Sequence, residues 1–383
     1  MSLEALELER LRARRSIKWS QYGPDCLPAW VAEMDFHVAE PIREVLREAL
    51  AHSDFGYPQS SQALGLEEAL AERMQRRYNW QLDPARVEVL NDVVQGLWIA
   101  LLAFSAPGDG AVVQTPIYPP FLDSVRKAGR QLRLSPLVAA ADRYVIDFDE
   151  LREVSRGARL LLLCHPHNPT GRVFTRGELE QLAALVLERD LCVVSDEIHA
   201  DLSFQARDFV PFASLGPELA ERTVTLTSAS KAFNIAGLRC AFAHFGSPEL
   251  QDRFNACVPR HARGGVGILG QHCTLAAWRG GDPWLDEVKK TLDGNRRFLV
   301  QEFARAVPQL GVRLPEATYL AWLDCQGLAL PVSPARHFLE QARVALSDGA
   351  YFGPGFERCA RLNFGTSPAL LSEIVQRLVA AVV

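Results

Sequence analysis

The middle of this 383-residue chain alternates short apolar runs with amphipathic stretches, and this alternation restricts the fold more than any other feature. The apolar runs are rich in Val, Leu and Thr, which is typical of strands that are buried on both faces. Between them, the stretches 66–78 and 177–189 carry apolar residues at helical spacing. Strand–helix–strand units of this kind build an α/β fold with a mostly parallel sheet. We predict strands at 110–114, 159–164, 191–195, 223–227 and 239–245.

The pattern changes towards the C-terminus, which predicts a second and smaller α/β unit. A strand at 319–325, a helix at 335–343 and a strand at 360–364 precede a final helix. We therefore predict three parts of the chain. They are an N-terminal arm over 1–40 that joins the small unit, a large domain over 41–275, and a small C-terminal domain over 276–383.

Composition and charge argue against nucleic acid and membranes as partners. The net charge of −5 provides no basic surface for a polyanion. The longest apolar runs fall short of the ~20 residues that a membrane-spanning helix needs. The N-terminal stretch mixes acids and bases without the apolar core of a signal peptide. The eight cysteines form no C-x-x-C pair, so neither a zinc site nor a disulfide framework is indicated. We expect a cytoplasmic protein.

Four polar side chains lie at or just beyond the ends of predicted strands, and they come from separate segments of the chain. Asn168 follows one strand, Asp196 and His199 follow the next, and Lys231 follows a third. Ligands of open α/β sheets bind outside the carboxyl ends of the strands. Burial in the core does not explain these residues, because Asp and Lys are rarely buried without a partner. We therefore predict that they meet at one active site.

Lys231 is the candidate nucleophile of this site. It lies among small residues in the run TSASKAFN, and a lysine amine can form a Schiff base with a carbonyl cofactor. One alternative is a solvated loop lysine. Another is the serine-acylating S-x-x-K motif, which Ser228 and Lys231 match, but its S-D-N and K-T-G companions are absent from the chain.

The other polar residues match the needs of pyridoxal 5'-phosphate (PLP). Asp196 can pair with the pyridine nitrogen and keep it protonated, so that the ring accepts electrons from the substrate. Asn168 can donate its amide N–H to the phenolic oxygen. Ser228, Ser230 and Arg239 can bind the phosphate, and a guanidinium is well suited to phosphate oxygens.

The order and spacing of these motifs resemble the fold-type I PLP enzymes of aminotransferase class I/II. The matching elements are NPTG at 168–171, the D-x-x-[YH] element at 196–199, the S-x-S-K run with an arginine eight residues on, and Arg361 in RLNFGTS. The resemblance covers nearly the whole chain. It implies an aspartate aminotransferase-like fold, in which a seven-stranded sheet forms the large PLP-binding domain.

Within that family, the chain is most similar to the cystathionine β-lyase-like carbon–sulfur lyases. The features are WVAEMDF (30–36), DFGYP (54–58), QTPIYPPF (114–121) and DEIHADL (196–202). The resemblance implies a homodimer with shared active sites. It also implies that Tyr118 stacks on the pyridine ring, Tyr57 reaches the phosphate in the neighbouring subunit, Arg361 and Asn168 hold the substrate carboxylate, and the backbone at Val93 and Val94 faces the phosphate.

Two positions leave questions open at the sequence level. Relatives usually have a glycine-containing turn where this chain has Asp92, whose charge would repel a phosphate unless the side chain turns away or caps the helix. His165, His167 and His199 could be offered as metal ligands. H-x-H without a carboxylate at ligand spacing is weak support, and we expect no metal. His199 instead fits a place near the phenolic oxygen, or a structural role.

Three functions remain open, and the DFGYP and DEIHADL resemblance favours the first. It is a carbon–sulfur β-lyase that converts a sulfur amino acid to pyruvate, ammonia and a thiol. The second is an aminotransferase, which would use the same Lys231, Asp196 and Arg361. The third is a PLP-binding regulatory protein, which the sequence supports least because it has no helix-turn-helix or basic region.

Overall fold

The computed structural model of the chain describes residues 6–205 and 209–383, and its centre is a seven-stranded sheet. In chain order, the strands of the described residues occupy the following ranges. They are β1 (Leu27–Pro28), β2 (Val87–Leu90), β3 (Gly110–Thr115), β4 (Gln131–Pro136), β5 (Val138–Ala139), β6 (Tyr144–Val145), β7 (Ala158–Cys164), β8 (Cys192–Asp196), β9 (Thr223–Thr227), β10 (Ala241–Phe245), β11 (Gly311–Val312), β12 (Leu320–Asp324), β13 (Val344–Ala345), β14 (Ser347–Asp348) and β15 (Cys359–Asn363).

The central sheet has the order β2-β10-β9-β8-β7-β3-β4, and only β10 runs antiparallel to its neighbours. This confirms the mostly parallel, seven-stranded sheet. The predicted strand at 223–227 is reproduced, and most of the others shift by one residue. The prediction that a strand starts at 239 was wrong, because Arg239 has a φ of 55° and the strand starts at Ala241. A left-handed backbone cannot continue a strand.

Helices cover both faces of this sheet. The predicted helix at 66–78 is reproduced, and the one at 177–189 begins one residue earlier, after a capping box formed by Thr175 and Glu178. The α-helices are α1 (Leu8–Arg12), α2 (Ile17–Ser20), α3 (Glu40–His52), α4 (Ser61–Leu64), α5 (Leu66–Tyr78), α6 (Val93–Phe104), α7 (Pro119–Lys127), α8 (Phe148–Val154), α9 (Arg176–Glu188), α10 (Pro217–Ala220), α11 (Pro248–Cys257), α12 (Arg260–Arg263), α13 (Ile268–Gly280), α14 (Asp282–Ala306), α15 (Pro334–His337) and α16 (Pro368–Ala380).

The strands are apolar along their length because each face of the sheet packs against its own core. In β7, Leu160 and Leu162 point to the core beneath α6, whereas Leu161 and Leu163 point to the core beneath α9. Full burial of one such side chain stabilises the fold by roughly 1.5–3 kcal/mol. The two cores therefore fix the sheet in place, with its carboxyl edge open.

The C-terminal part forms a second sheet of four antiparallel strands in the order β11-β12-β15-β14, with the long α14 leading into it. The N-terminal segment joins this part of the chain, because β1 pairs in parallel with β13. The prediction of a single helix over 335–343 was wrong for the second half of that range. There α15 passes into a π-helical turn at Phe338–Ala342, which buries Phe338 and ends at Arg343 with φ 54°.

The chain order places the polar side chains at one edge of the central sheet. From β3, the chain adds β4 on one side and β7 on the other, so the strand order reverses at β3. Tyr118 follows β3, and Asn168 follows β7. Open α/β sheets bind ligands in the crevice at such a reversal. Among the residues described, no helix has the length and apolar character to cross a membrane.

Candidate active site

A cavity of 980 Å³ opens at the carboxyl edge of the central sheet, against the N-terminal segment and the C-terminal sheet. Tyr57 is the only proposed site residue outside it. That side chain lies between α3 and α4, and it is fully exposed. The proposed residues that line the cavity are Val93, Val94, Tyr118, Asn168, Asp196, His199, Ser228, Ser230, Lys231, Arg239 and Arg361.

Lys231 lies four residues beyond β9 and extends its amine into the cavity. Nζ donates a hydrogen bond to the carbonyl oxygen of Ala32 at 3.2 Å, and the hydroxyl of Tyr319 donates to the same oxygen at 3.0 Å. Burial, helped by the nearby Arg361, lowers the pKa of Lys231 from 10.5 to about 8. Near neutral pH, the neutral and nucleophilic amine is therefore far more populated than in an exposed lysine.

Asp196 ends β8 and is buried beneath the cavity floor. Burial raises the pKa of its carboxyl from 3.8 to about 7. Two smaller effects oppose this rise: Oδ1 accepts a hydrogen bond from the N–H of Ile198 at 3.1 Å, and Lys231 carries a positive charge nearby. A buried carboxylate at this depth is stabilised by a cation or a hydrogen-bond donor. A protonated pyridine nitrogen supplies both.

His199 is buried at the next turn and stays neutral. Burial lowers its pKa to about 3, with further lowering from Lys231 and Arg361. Its Nδ1 has no hydrogen-bond partner among the described residues, and the edge of its ring meets that of Tyr319 at 6.3 Å between centroids. An unpartnered buried ring nitrogen next to a cavity can still bond to a ligand.

Arg361 in β15 is the buried cation of the cavity. Nη1 donates to Oδ1 of Asn168 at 3.0 Å, and Nη2 donates to the carbonyl oxygen of Trp30 at 2.9 Å and to Oγ of Ser347 at 3.2 Å. The guanidinium also lies over the ring of Phe352 at 5.1 Å. Its Nε is buried without a partner in the described chain, so the guanidinium still has a donor for a carboxylate.

Tyr118 is the N-cap residue of α7, and its phenol lies near the charged groups of Arg361, Asp196 and Asp92. Burial raises the pKa of its phenol, Arg361 lowers it, and Asp196 and Asp92 raise it. The phenol therefore stays protonated and presents a neutral aromatic face. This is the kind of surface that the stacking role expected for Tyr118 requires.

The segment 30–34 contributes backbone carbonyl groups to this site, which the residue-by-residue reading of the sequence missed. Every residue has a backbone carbonyl, so its role cannot be inferred from the residue type. The sequence indicates WVAEMDF only as part of a resemblance. Donors reach this segment from far along the chain. They are Arg361 and Ser347 at Trp30, Asn363 at Val31 and Glu33, Lys231 and Tyr319 at Ala32, Lys18 at Glu33, and Arg14 and Asn234 at Met34.

The end of the cavity at the start of α6 holds the residues expected to bind a phosphate. The N–H groups of Val93 and Val94 belong to the first turn of α6, where the helix leaves its donors unpaired. Ser228 Oγ donates to the carbonyl oxygen of Cys240 at 2.6 Å and accepts from the N–H of Ser230 at 3.0 Å. The hydroxyl of Ser228 thus also braces the loop.

Asp92 caps α6, which is one of the two arrangements that the sequence left open. Its Oδ1 accepts from the N–H of Gln95 at 2.8 Å. Its Oδ2 pairs with Nη2 of Arg239 at 2.8 Å. The side chain has therefore not turned away, and it stays in the wall of the cavity.

Other candidates from the sequence lie in the core or pair elsewhere. His165 stacks between Phe174 and Phe209, and burial lowers the pKa of both His165 and His167 to about 3. Arg260 and Arg263 of α12 pair with Glu88 at 2.8 and 3.6 Å. Neither arginine lines the cavity.

The residues present fit PLP from one end to the other. The buried carboxyl of Asp196 suits the pyridine nitrogen, and the amine of Lys231 suits the aldehyde carbon. The amide of Asn168 and the unpartnered Nδ1 of His199 suit the phenolic side. The first turn of α6 suits the phosphate.

The similarity to known proteins extends over nearly the whole chain. The family model for aminotransferase class I and II matches residues 30–378. Cystathionine beta-lyase PatB of Bacillus subtilis is 37% identical over 381 residues, which covers 97% of this chain and 98% of that protein. Cystathionine beta-lyase of Corynebacterium glutamicum is 37% identical over 375 residues, at 97% and 98%. The PLP-bound C-S lyase from Staphylococcus hominis superposes with a TM-score of 0.91 at 29% identity, covering 100% and 98%.

Proposed function

Because the chain belongs to the aminotransferase class I and II family, we propose that it is a PLP-dependent carbon–sulfur β-lyase of the cystathionine β-lyase type. It takes a sulfur amino acid and releases pyruvate, ammonia and a thiol. The similarity to two cystathionine β-lyases over nearly the whole length, and to a PLP-bound carbon–sulfur lyase in structure, supports this proposal.

One observation carries the proposal. The cavity that holds the amine of Lys231, with its pKa lowered to about 8, also holds the buried carboxyl of Asp196 and the guanidinium of Arg361. When bound there, PLP accepts electrons from the α-carbon of an amino acid into its ring. The protein's part is to hold the cofactor, to fix the substrate and to move one proton.

Arg361 and Lys231 divide that work. Arg361 binds the substrate α-carboxylate with its unpartnered donor side, while Asn168 and the carbonyl of Trp30 keep the guanidinium in position. Lys231, once neutral, takes the proton from Cα. The Cβ–S bond then breaks, the sulfur leaves as a thiolate, and hydrolysis gives pyruvate and ammonia. Asp196 keeps the pyridine nitrogen protonated throughout.

We also propose a homodimer in which Tyr57 serves the neighbouring active site. Tyr57 is fully exposed and lies outside the cavity of its own chain, and Phe55, two residues before it, is also largely exposed. A second chain packed against this segment would bury both aromatic side chains. The cytoplasmic location and the division into an arm, a large domain and a small domain stay predictions.

The test is an absorbance spectrum followed by a turnover assay without keto acid. We expect a band near ~420 nm from the PLP Schiff base that Lys231→Ala removes, and pyruvate on addition of L-cystathionine. A band that L-cystathionine bleaches without pyruvate, and that a keto acid restores, would instead establish an aminotransferase. A protein without any band after incubation with PLP would contradict the assignment of the cofactor.

A further inference from the structure

The part of the cavity that would receive the cofactor phosphate contains one positive and one negative side chain. The residues there are the start of α6 with Asn91 and Asp92, the serines of the Lys231 loop, and Arg239. Among these, Asp92 and Arg239 are the two charged side chains, and their charges cancel. A site for a phosphate dianion ordinarily combines helix N–H groups with a net positive charge.

Asp92 is held in this place by two contacts. Its Oδ1 accepts the N–H of Gln95 at 2.8 Å, so the carboxylate cannot leave without uncapping α6. Its Oδ2 takes a donor of Arg239 at 2.8 Å. The pair is also not isolated from the cavity, because both residues line it.

Asp92 has two opposite effects on the binding of the phosphate. It orients the guanidinium of Arg239, which has donors to spare for a second anion. It also occupies one of those donors and sets a negative charge beside the phosphate. The Arg239 side chain is 62% exposed, so the gain from orienting it is small. The repulsion would act on a group of charge near −2 from the Asp92 side chain, which is only 33% exposed and therefore less screened, so it is the larger effect.

We infer that Asp92 weakens the hold of this site on the phosphate of PLP, so that the enzyme exchanges its cofactor more readily than the same site without this charge. The inference depends on the cofactor of the proposed function, but not on which reaction the enzyme catalyses. It assigns Asp92 a role in cofactor affinity, separate from its role as a helix cap.

The test removes the charge and keeps the cap. Asn is as good an N-cap residue as Asp, so Asp92→Asn leaves α6 intact. PLP is titrated into the apoprotein, and binding is followed by the quenching of tryptophan fluorescence, with inorganic phosphate as a competitor. We expect Asp92→Asn to bind PLP roughly five- to tenfold more tightly, and the inhibition constant of inorganic phosphate to fall by a similar factor.

Asp123→Asn is the matched control. Asp123 lies on α7 and lines a shallow groove that Asp92 and Arg239 also line, but it is not part of the larger cavity. Its substitution removes the same charge nearby, and we expect less than a twofold change in affinity. A second check is Arg239→Gln, which should cost more affinity in the Asp92→Asn background than in the wild type, because Arg239 then serves the phosphate alone.

The outcomes separate this inference from the proposed function. Unchanged or weaker PLP binding in Asp92→Asn would overturn the inference, since Asp92 would then be neutral or would help Arg239. Equal tightening in Asp123→Asn would also overturn it, because the effect would be one of net charge. Failure of both the wild type and Asp92→Asn to bind PLP would reject the cofactor, and with it the proposed function.

Discussion

At the scale of single residues, Arg361 is a buried cation whose surroundings suit the binding of a carboxylate. Burial lowers its pKa to about 10, and its charge is compensated by Asn168, by the carbonyl of Trp30 and by Ser347 rather than by a carboxylate. A buried cation without an anionic partner gains much from binding one. We propose that the substrate carboxylate is that anion.

We therefore expect Arg361→Lys to lose most of the activity while keeping the cofactor. A lysine cannot reproduce the planar fork that contacts Asn168 and Trp30 together. The value of kcat/KM for L-cystathionine should fall by roughly 100-fold, mainly through KM, while the absorbance of bound PLP stays unchanged. A fall in PLP binding of the same size would show that Arg361 acts on the cofactor site instead.

The lowered pKa of Lys231 gives a pH dependence with a definite direction. The amine must be neutral to attack the aldehyde of PLP, and its pKa in the folded chain is about 8 rather than 10.5. The rate of PLP uptake by the apoprotein should therefore rise about tenfold per pH unit below 8 and level off above it. Stopped-flow absorbance between pH 6 and 9.5 measures this. A rate that still rises steeply at pH 9.5 would contradict the burial of the amine.

The site residues divide into those that a sequence can indicate and those that it cannot. Lys231 and Asp196 are indicated because a charged residue at or just beyond a strand end is chemically unusual. Arg361 lies in the middle of β15 and is indicated only by the resemblance of RLNFGTS. The carbonyl of Ala32 and the hydroxyl of Tyr319 are not, since their roles depend on the path of a segment far away in the sequence. Asp92 lies between these cases, because the sequence indicates its place near the phosphate but not its pairing with Arg239.

At the scale of elements, the periodicity of apolar residues predicts the strands and helices that are formed by burying one or both faces. It fails where a single local contact decides the backbone conformation. Five of the seven strands of the central sheet were predicted, because both of their faces are buried. The edge strands β2 and β4 were not predicted. Arg239 was placed in a strand because apolar residues follow it, but its backbone turns left-handed and its side chain pairs with Asp92. The helix predicted at 335–343 gives way to a π-helical turn that ends where β13 must meet β1.

The loop after β7 contains a buried histidine that should make stability depend on pH. His165 stacks between Phe174 and Phe209, and neither ring nitrogen has a partner within the described residues. Its pKa falls from 6.5 to about 3 on folding. Below pH 6.5 the unfolded chain binds a proton that the folded chain does not, so stability contributed by the neutral ring is lost as the pH falls from 6.5 towards 3.

We expect His165→Phe to reduce this acid sensitivity. Between pH 7 and pH 5, the loss of unfolding free energy should be smaller than in the wild type by about 2 kcal/mol. Urea unfolding at both pH values and one fixed protein concentration measures the difference. His272→Gln, which removes an exposed histidine, serves as the control and should keep the wild-type dependence. An unchanged dependence in His165→Phe would mean that His165 is not kept neutral.

At the scale of the whole molecule, the position of Tyr57 outside its own cavity predicts that two chains complete one site. Mixing a Tyr57→Ala chain with a Lys231→Ala chain tests this. In the mixed dimer, one site combines Lys231 of the first chain with Tyr57 of the second. We expect mixing to restore activity well above that of either parent, towards half of the wild-type value per mixed dimer.

The same experiment has a clear contrary result. If Tyr57 served its own chain, every site in the mixture would lack either Tyr57 or Lys231, and mixing would restore nothing. Light scattering on each variant checks that the failure is not one of assembly. A catalytically competent monomer would reject the shared site altogether.

The backbone carbonyls of segment 30–34 have a consequence for how this protein tolerates change. Lys231 and Arg361 both donate to this short stretch, so the reactive amine and the substrate anchor depend on the route of one piece of main chain. Alanine scanning there leaves the carbonyls in place and so reports little of their contribution. A one-residue insertion or deletion before Trp30 shifts every carbonyl at once, and should disturb cofactor and substrate binding together. We therefore expect the partly buried positions 30–33 to tolerate substitution better than the stretch tolerates a change in length.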